Sequence, residues 1–369
     1  MRILMSTDTM GGVWTYALEL AGALRRHGIQ VVLATMGDPV SAAQHRQVRR
    51  IRDLTLCESR YRLEWMDAPW QDVERAGRWL LQLERRYRPD VVHLNHYSHG
   101  NLDWLAPSLV VGHSCVYSWW NAVHGENPPP AWNTYHDRVR AGLHGADRVA
   151  APSVSMLRSL LHHYGPLPDT AVVHNGGTPP LLQQAAKRHI VLAAGRCWDA
   201  AKNIEAVTRI APGLHWPVYL AGETRHPVGG GDTDLPYVRI LGLLAPESLR
   251  RWYADAAIYA LPARYEPFGL SILEAALAGC APVIGDIPSL RELWASAACF
   301  VPPDDPRALR DAINGLAEDH RRRDALARSA RRQALRYSAD RMARGYLTLY
   351  RDLLARNGLR AGPAMSTQG

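Results

Sequence analysis

Two adjoining segments limit what this chain can fold into. Residues 256–262, AAIYALP, read as a short buried strand, and residues 265–279, YEPFGLSILEAALAG, read as a loop opening into an apolar helix. The unit is strand, loop, helix. Glu266 lies on the loop and Glu274, eight positions on, lies in the second helical turn. A helix N-terminus presents unpaired N–H groups and positive partial charge, which suits an anion. Gly269 lets a ligand approach the backbone closely. Carboxylates on either side of such a place are poor phosphate ligands and good acceptors for sugar or ribose hydroxyls. A phosphate held between two polyol groups describes a nucleotide sugar. The same spacing also describes an ordinary βα unit with a solvated glutamate at each end, and spacing alone does not separate the two.

The rest of the chain repeats the alternation. Residues 2–6 form a strand, TDTMGG at 7–12 a glycine loop, 13–28 a helix and 29–37 a second strand. This unit has no G-x-G-x-x-G, so a dinucleotide site is not indicated. A helix at 73–87 precedes a strand ending at His93 to Asn95, and SLVVGHS ends with His113 at the carboxyl end of its strand. Ligands of open parallel sheets gather at that end. A lone histidine there is equally well a structural one, and His93 and His96 are further candidates. Residues 115–139 depart from regular patterning, with Trp119, Trp120 and Trp132 and three consecutive prolines, and read as a long loop. Its rings either stack on a sugar or apolar acceptor or pack on their own domain. Ser153 reads as a helix cap. Residues 179–188 read as a linker, after which 189–207 run strand, Arg196, Lys202, helix. A further strand at 217–223 leads to the glycine-rich GGGD at 229–232, and the tail after Gly358 reads as mobile.

The 369 residues suffice for two domains of ordinary size, and 47% hydrophobic with 21% charged residues is a soluble globular composition. The opening MRILMS has no cleavable-signal pattern, so a cytoplasmic protein is expected. Cys57, Cys115, Cys197, Cys280 and Cys299 are odd in number and lack metal-ligand spacing, which implies reduced thiols. The formal net charge of +8 favours anionic partners. No nucleic-acid motif accompanies it, and most basic residues are spread along helices. Peripheral contact with the inner membrane face is the other partner this charge admits.

Residues 266–274, EPFGLSILE, resemble the E-x7-E signature of retaining glycosyltransferases of the GT-B fold, family 4 type, and the likeness runs through residues 248–293. The resemblance implies two facing doubly wound Rossmann-like α/β domains with a cleft between them. Residues 1–180 would form the acceptor side and 187–340 the nucleotide-sugar side, with a C-terminal helix at about 341–358 crossing back. HNGG at 174–177 matches the turn that closes the first domain. GR and KN around Arg196 and Lys202 match the segment that holds the diphosphate. Gly11 and Gly12 would border the donor phosphate, and His113 would stand near the reacting sugar. Leu243 would meet the base. Phe268, Gly269, Leu270 and Ser271 would line the donor, with Glu266 on the sugar and Glu274 on the ribose. Trp14, Trp119 and Trp120 are acceptor-side candidates. The implied reaction moves a sugar from a nucleoside-diphosphate sugar to a hydroxyl of a glycan, lipid-linked or small-molecule acceptor. No D-x-D stands in the expected place, so no essential metal or other cofactor is expected. The alternatives are a GT-B phosphorylase or hydrolase and a non-catalytic nucleotide-sugar-binding subunit.

Overall fold

The computed structural model describes residues 1–179, 186–224 and 237–360. The GGGD segment, most of the linker and the far tail lie outside the described residues. Among the described residues thirteen short strands fall into two sheets. The first holds β1 (Arg2–Asp8), β2 (Gln30–Met36), β3 (Leu54–Glu58), β4 (Val91–Leu94), β5 (Ser108–Val111), β6 (Arg148–Ala151) and β7 (Thr170–Val172), in the order 3-2-1-4-5-6-7. The second holds β8 (Arg188–Ala194), β9 (Val218–Ala221), β10 (Val238–Gly242), β11 (Ala256–Leu261), β12 (Ala281–Gly285) and β13 (Cys299–Val301), in the order 10-9-8-11-12-13. The pairings are parallel throughout. Helices cover both faces, which is why a central strand such as β11 is buried along its whole length. The expected pair of doubly wound domains is present.

Two local readings need correction. The stretch at 115–139 is mostly helical: Val116–His124, a single turn at Pro130–Trp132, then Asn133–Gly145. Cys115 caps the first of these by accepting from the Ser118 N–H at 3.3 Å, and Gly125 ends it with a left-handed φ of 74°. Tyr135 and Val139 are buried with Tyr97 and Cys115, while Trp119 and Trp120 stay half-buried on another side. Rings on several faces hide the helical period. The glycine loop is also shorter than the sequence suggests. β1 runs on to Asp8 and the next helix begins at Gly11, so Asp8 stands at the carboxyl end of the strand.

The helix Ala339–Arg360 returns to the first domain. Gly177 and Ser338 form a parallel bridge where the chain leaves that domain and re-enters it. A Cβ on the neighbouring Gly176 would sit 2.3 Å from the Ser338 carbonyl oxygen, so only glycine fits. Tyr346, Tyr350 and Leu353 are buried against Tyr16, Leu20 and Leu24. At the centre lies His93, fully buried, whose ring nitrogens share hydrogen bonds with the hydroxyls of Tyr350 (Nδ1, 2.7 Å) and Tyr16 (Nε2, 3.2 Å). Burial lowers its pKa to about 3, so it stays neutral. Arg148, on β6, reaches Asp352 of the same helix at 3.3 Å.

Tyr350→Phe leaves a buried imidazole nitrogen unpartnered at no cost in shape. We expect a loss of about 1–3 kcal/mol in unfolding free energy, the penalty for one orphaned buried polar group. Denaturant titration checks it; an unchanged midpoint would show that His93 does not depend on this helix.

Candidate active site

In a doubly wound sheet the crevice opens where the strand order reverses, beyond the carboxyl ends. Here the reversals fall between β1 and β4 and between β8 and β11. Asp8 ends β1 and Thr9 to Gly12 follow it, and Asn95 and His96 follow β4. Arg196, Asp199 and Lys202 follow β8, and Glu266 to Gly269 follow β11.

On the second domain Glu266 is the centre of the site. Its Oε2 accepts from Lys202 Nζ at 2.6 Å and its Oε1 accepts from the Gly269 N–H at 3.0 Å. The carboxylate therefore holds Gly269, the residue with φ 87° that leads into the helix Leu270–Leu277. Ser289 donates to the Glu266 carbonyl at 2.6 Å and fixes the loop from below. Arg196 lies along the face of Trp198 at 4.9 Å and donates from Nη2 to Asp199 Oδ2 at 2.8 Å. Asn203 follows Lys202 in a left-handed conformation, φ 53°, and donates to the carbonyls of Pro262 (2.9 Å) and Pro303 (2.7 Å). It fastens the cationic turn to the ends of β11 and β13. Two cations and the amino end of a helix thus converge where β8 and β11 part.

The first domain supplies the opposite wall. Gly12 faces Leu270: a Cβ there would touch Leu270 Cδ1 at 3.6 Å. Leu270 packs against both domain cores. His113 Nε2 lies 2.8 Å from Asn95 Oδ1. Asn95 Nδ2 donates to the Ser6 carbonyl at 2.7 Å, which fixes the amide orientation. The His113 proton therefore sits on Nε2, and Nδ1 is left as an acceptor. Burial lowers the His113 pKa to about 3. Asp8 is pushed up from 3.8 to about 7 by burial, opposed by the Met10 N–H and by the charge of Arg196 across the cleft.

Glu274 is half-buried in a recess shared by the two domains, with Thr15, Glu19 and Thr178 on one side and Arg250 and Tyr253 on the other. The remaining candidates scatter. Ser271 is half-buried in the first turn of its helix. Phe268 is buried, with Tyr337 and His174 nearby. Trp14 is buried in the first core and donates to Gln47 at 2.7 Å. Leu243 is 84% exposed. Trp120 packs against Trp119 and His124. Trp119 crosses the cleft and donates to Asp199 Oδ1 at 3.1 Å. Asp8, Asn95 and Asp199 escape sequence reasoning, though Asp199 stands between the two cations that the sequence singles out. Among the described residues no group of three His, Cys, Asp or Glu side chains could hold a metal ion, and no helix is long and apolar enough to cross a membrane.

The profile "Glycosyltransferase Family 4" matches residues 10–177, and the profile "Glycosyl transferases group 1" matches residues 188–319. The chain belongs to the family 4 type of GT-B glycosyltransferases. Over 125 residues it is 34% identical to D-inositol 3-phosphate glycosyltransferase of Nocardioides, a match covering 33% of this chain and 27% of that protein. Against the Xylanimonas cellulosilytica protein of the same name it is 27% identical, covering 93% of this chain and 92% of the relative. Anabaena HepE in complex with UDP and glucose superposes with a TM-score of 0.75 at 16% identity, covering 95% of this glycosyltransferase and all of HepE. That structural likeness speaks to the fold.

The recess makes a pH prediction. Burial raises Glu274 from 4.5 to about 7, opposed by Arg250, reinforced by Glu19 across the cleft and opposed by Tyr253. The folded glycosyltransferase thus holds this proton more tightly than the unfolded chain. Its stabilising contribution is full below about pH 4.5 and is lost as pH rises through about 7. Glu274→Gln, which mimics the protonated carboxyl, removes that loss. Melting temperatures from pH 5 to pH 8 should fall less steeply for the variant; parallel curves would contradict the assignment.

Proposed function

We propose that this glycosyltransferase moves a sugar from a nucleoside-diphosphate sugar to an acceptor hydroxyl with retention of anomeric configuration. The observation that carries the reading is the Lys202–Glu266 pair at the amino end of the helix Leu270–Leu277, with Arg196 beside it. A departing diphosphate accumulates negative charge. Arg196, Lys202 and the helix N–H groups are preorganised donors for that charge, in a place fixed before the reaction begins. Glu266 already accepts from Lys202 and Gly269, so its lone pairs are aimed by the fold. Its part is to hold sugar hydroxyls and not to act as a general base. The acceptor attacks on the face the diphosphate leaves, and the donor phosphate takes the hydroxyl proton. His113, neutral and with Nδ1 as an acceptor, takes a sugar hydroxyl from the opposite wall. Glu274 takes the ribose hydroxyls in its recess. The UDP and glucose bound by the neighbouring HepE structure support a nucleotide-sugar donor. The acceptor is a hydroxyl compound entering along the first domain. With cations already placed for the diphosphate, no metal is needed, and we place the reaction in the cytoplasm or at the inner membrane face.

The two glutamates should fail differently. Glu266 meets the reacting sugar, so Glu266→Gln should lower kcat by about 10²-fold, the effect of losing one preorganised electrostatic contact. Glu274 meets a part of the donor that does not react, so Glu274→Gln should chiefly raise the donor KM. Steady-state kinetics with both variants decides it, and the reverse pattern would exchange the roles.

Transfer should also persist in excess EDTA. A rate that collapses with chelator and returns with magnesium or manganese would refute the metal-independent route.

A further inference from the structure

Asp199 is a buried carboxylate, 5% exposed, lying between the two cations assigned to the diphosphate. A carboxylate in such a place is costly unless donors reach it. Three do so. Arg196 Nη2 donates to Oδ2 at 2.8 Å, the Ala201 N–H to Oδ1 at 3.1 Å, and Trp119 Nε1 to Oδ1 at 3.1 Å. The backbone adds to this: the Asp199 N–H donates to the Arg196 carbonyl at 3.2 Å, and the Lys202 N–H to the Asp199 carbonyl at 2.9 Å. One residue therefore organises the whole turn from Arg196 to Lys202. The Arg196 side chain is 41% exposed. An arginine that open samples many rotamers unless something holds it. Here the Trp198 face lies along it and the Asp199 carboxylate grips one nitrogen. The third donor comes from the other domain, on the helix Val116–His124.

We propose that Asp199 is a positioning residue that aims Arg196 at the donor diphosphate, and that Trp119 ties this clamp to the first domain; the proposal rests on the donor reading above. By charge alone the carboxylate repels a diphosphate, so it earns its place only by orienting the guanidinium. The Trp119 bond makes that orientation depend on the cleft being bridged. Arg196 is held in line when the acceptor-side helix stands opposite it.

Charge and positioning predict opposite signs. Neutralising a bystander carboxylate tightens binding of an anion, whereas releasing a positioned arginine weakens it. Calorimetry with UDP, GDP and ADP first identifies the nucleoside diphosphate that the wild-type chain binds most tightly, and that compound is the probe. Arg196→Ala should weaken it about tenfold or more, as for loss of a charged hydrogen bond. Asp199→Asn should also weaken it about tenfold in the wild-type background and cause no further loss in the Arg196→Ala background, the non-additivity of groups acting as one unit. Trp119→Phe keeps the ring and removes only the N–H. It should weaken the probe about threefold and have no effect once Asp199 is Asn. Tighter or unchanged binding by Asp199→Asn, or losses that multiply with Arg196→Ala, would overturn the proposal. If no diphosphate binds the wild type, or Arg196→Ala binds normally, the donor reading itself falls. Thermal melts control for folding. Should Asp199→Asn not fold, the cycle of Trp119→Phe with Arg196→Ala gives the same test: independent losses overturn the clamp, and coupled losses support it.

Discussion

Everything at the site depends on where one carboxylate is held. Glu266 joins three elements that are far apart in sequence. Its two oxygens take Lys202, from the turn after β8, and the Gly269 N–H, at the head of a helix. Its carbonyl takes Ser289, from the helix Pro288–Trp294. A partly buried ion pair adds little net stability, since desolvation offsets much of the attraction. What it supplies is placement. Two strands part at β8 and β11, and this pair fixes which cationic and anionic groups face the gap between them.

The first domain holds the same loop from the other side. Ser153 donates to the Pro267 carbonyl at 2.8 Å while also capping its own helix by accepting from Met156. Glu292 of the second domain accepts from the N–H groups of Val154 and Ser155, both at 2.8 Å, and so satisfies donors that a helix N-terminus leaves over. Tyr265 packs among the rings of the first domain's cluster around Tyr97 and Tyr135. Residues 265–269 are thus gripped by both domains. The Gly12–Leu270 approach and the Trp119–Asp199 bond extend the contact along the cleft. The wall around Glu266 is built jointly, and its geometry follows how the domains meet.

Much of this was legible from residue types. The apolar strands followed by glycine-bearing loops specify parallel sheets, and Glu266 and Glu274 can be read off the loop and helix that carry them. The Ser153 cap is visible because a serine before an apolar helical run has one obvious use. What could not be read depends on distance in space. Asp8 and Asp199 look like ordinary loop carboxylates. Burial is what distinguishes them, and for Asp8 the charge of Arg196 across the cleft as well. The helix Val116–His124 escaped because its rings serve several neighbours at once and break the period. Trp119 reads as an acceptor-side ring, and only the folded chain places its N–H on Asp199 of the second domain. β3 is half-exposed at the sheet edge and carries no apolar run to mark it.

The decisive measurement is a crystal structure of the chain with its tightest-binding nucleoside diphosphate. The phosphates should lie over the amino end of the helix Leu270–Leu277, within hydrogen-bonding reach of Arg196 and Lys202, with the ribose against Glu274. A diphosphate bound elsewhere, with the Lys202–Glu266 pair untouched and the Glu274 recess unfilled, would contradict it.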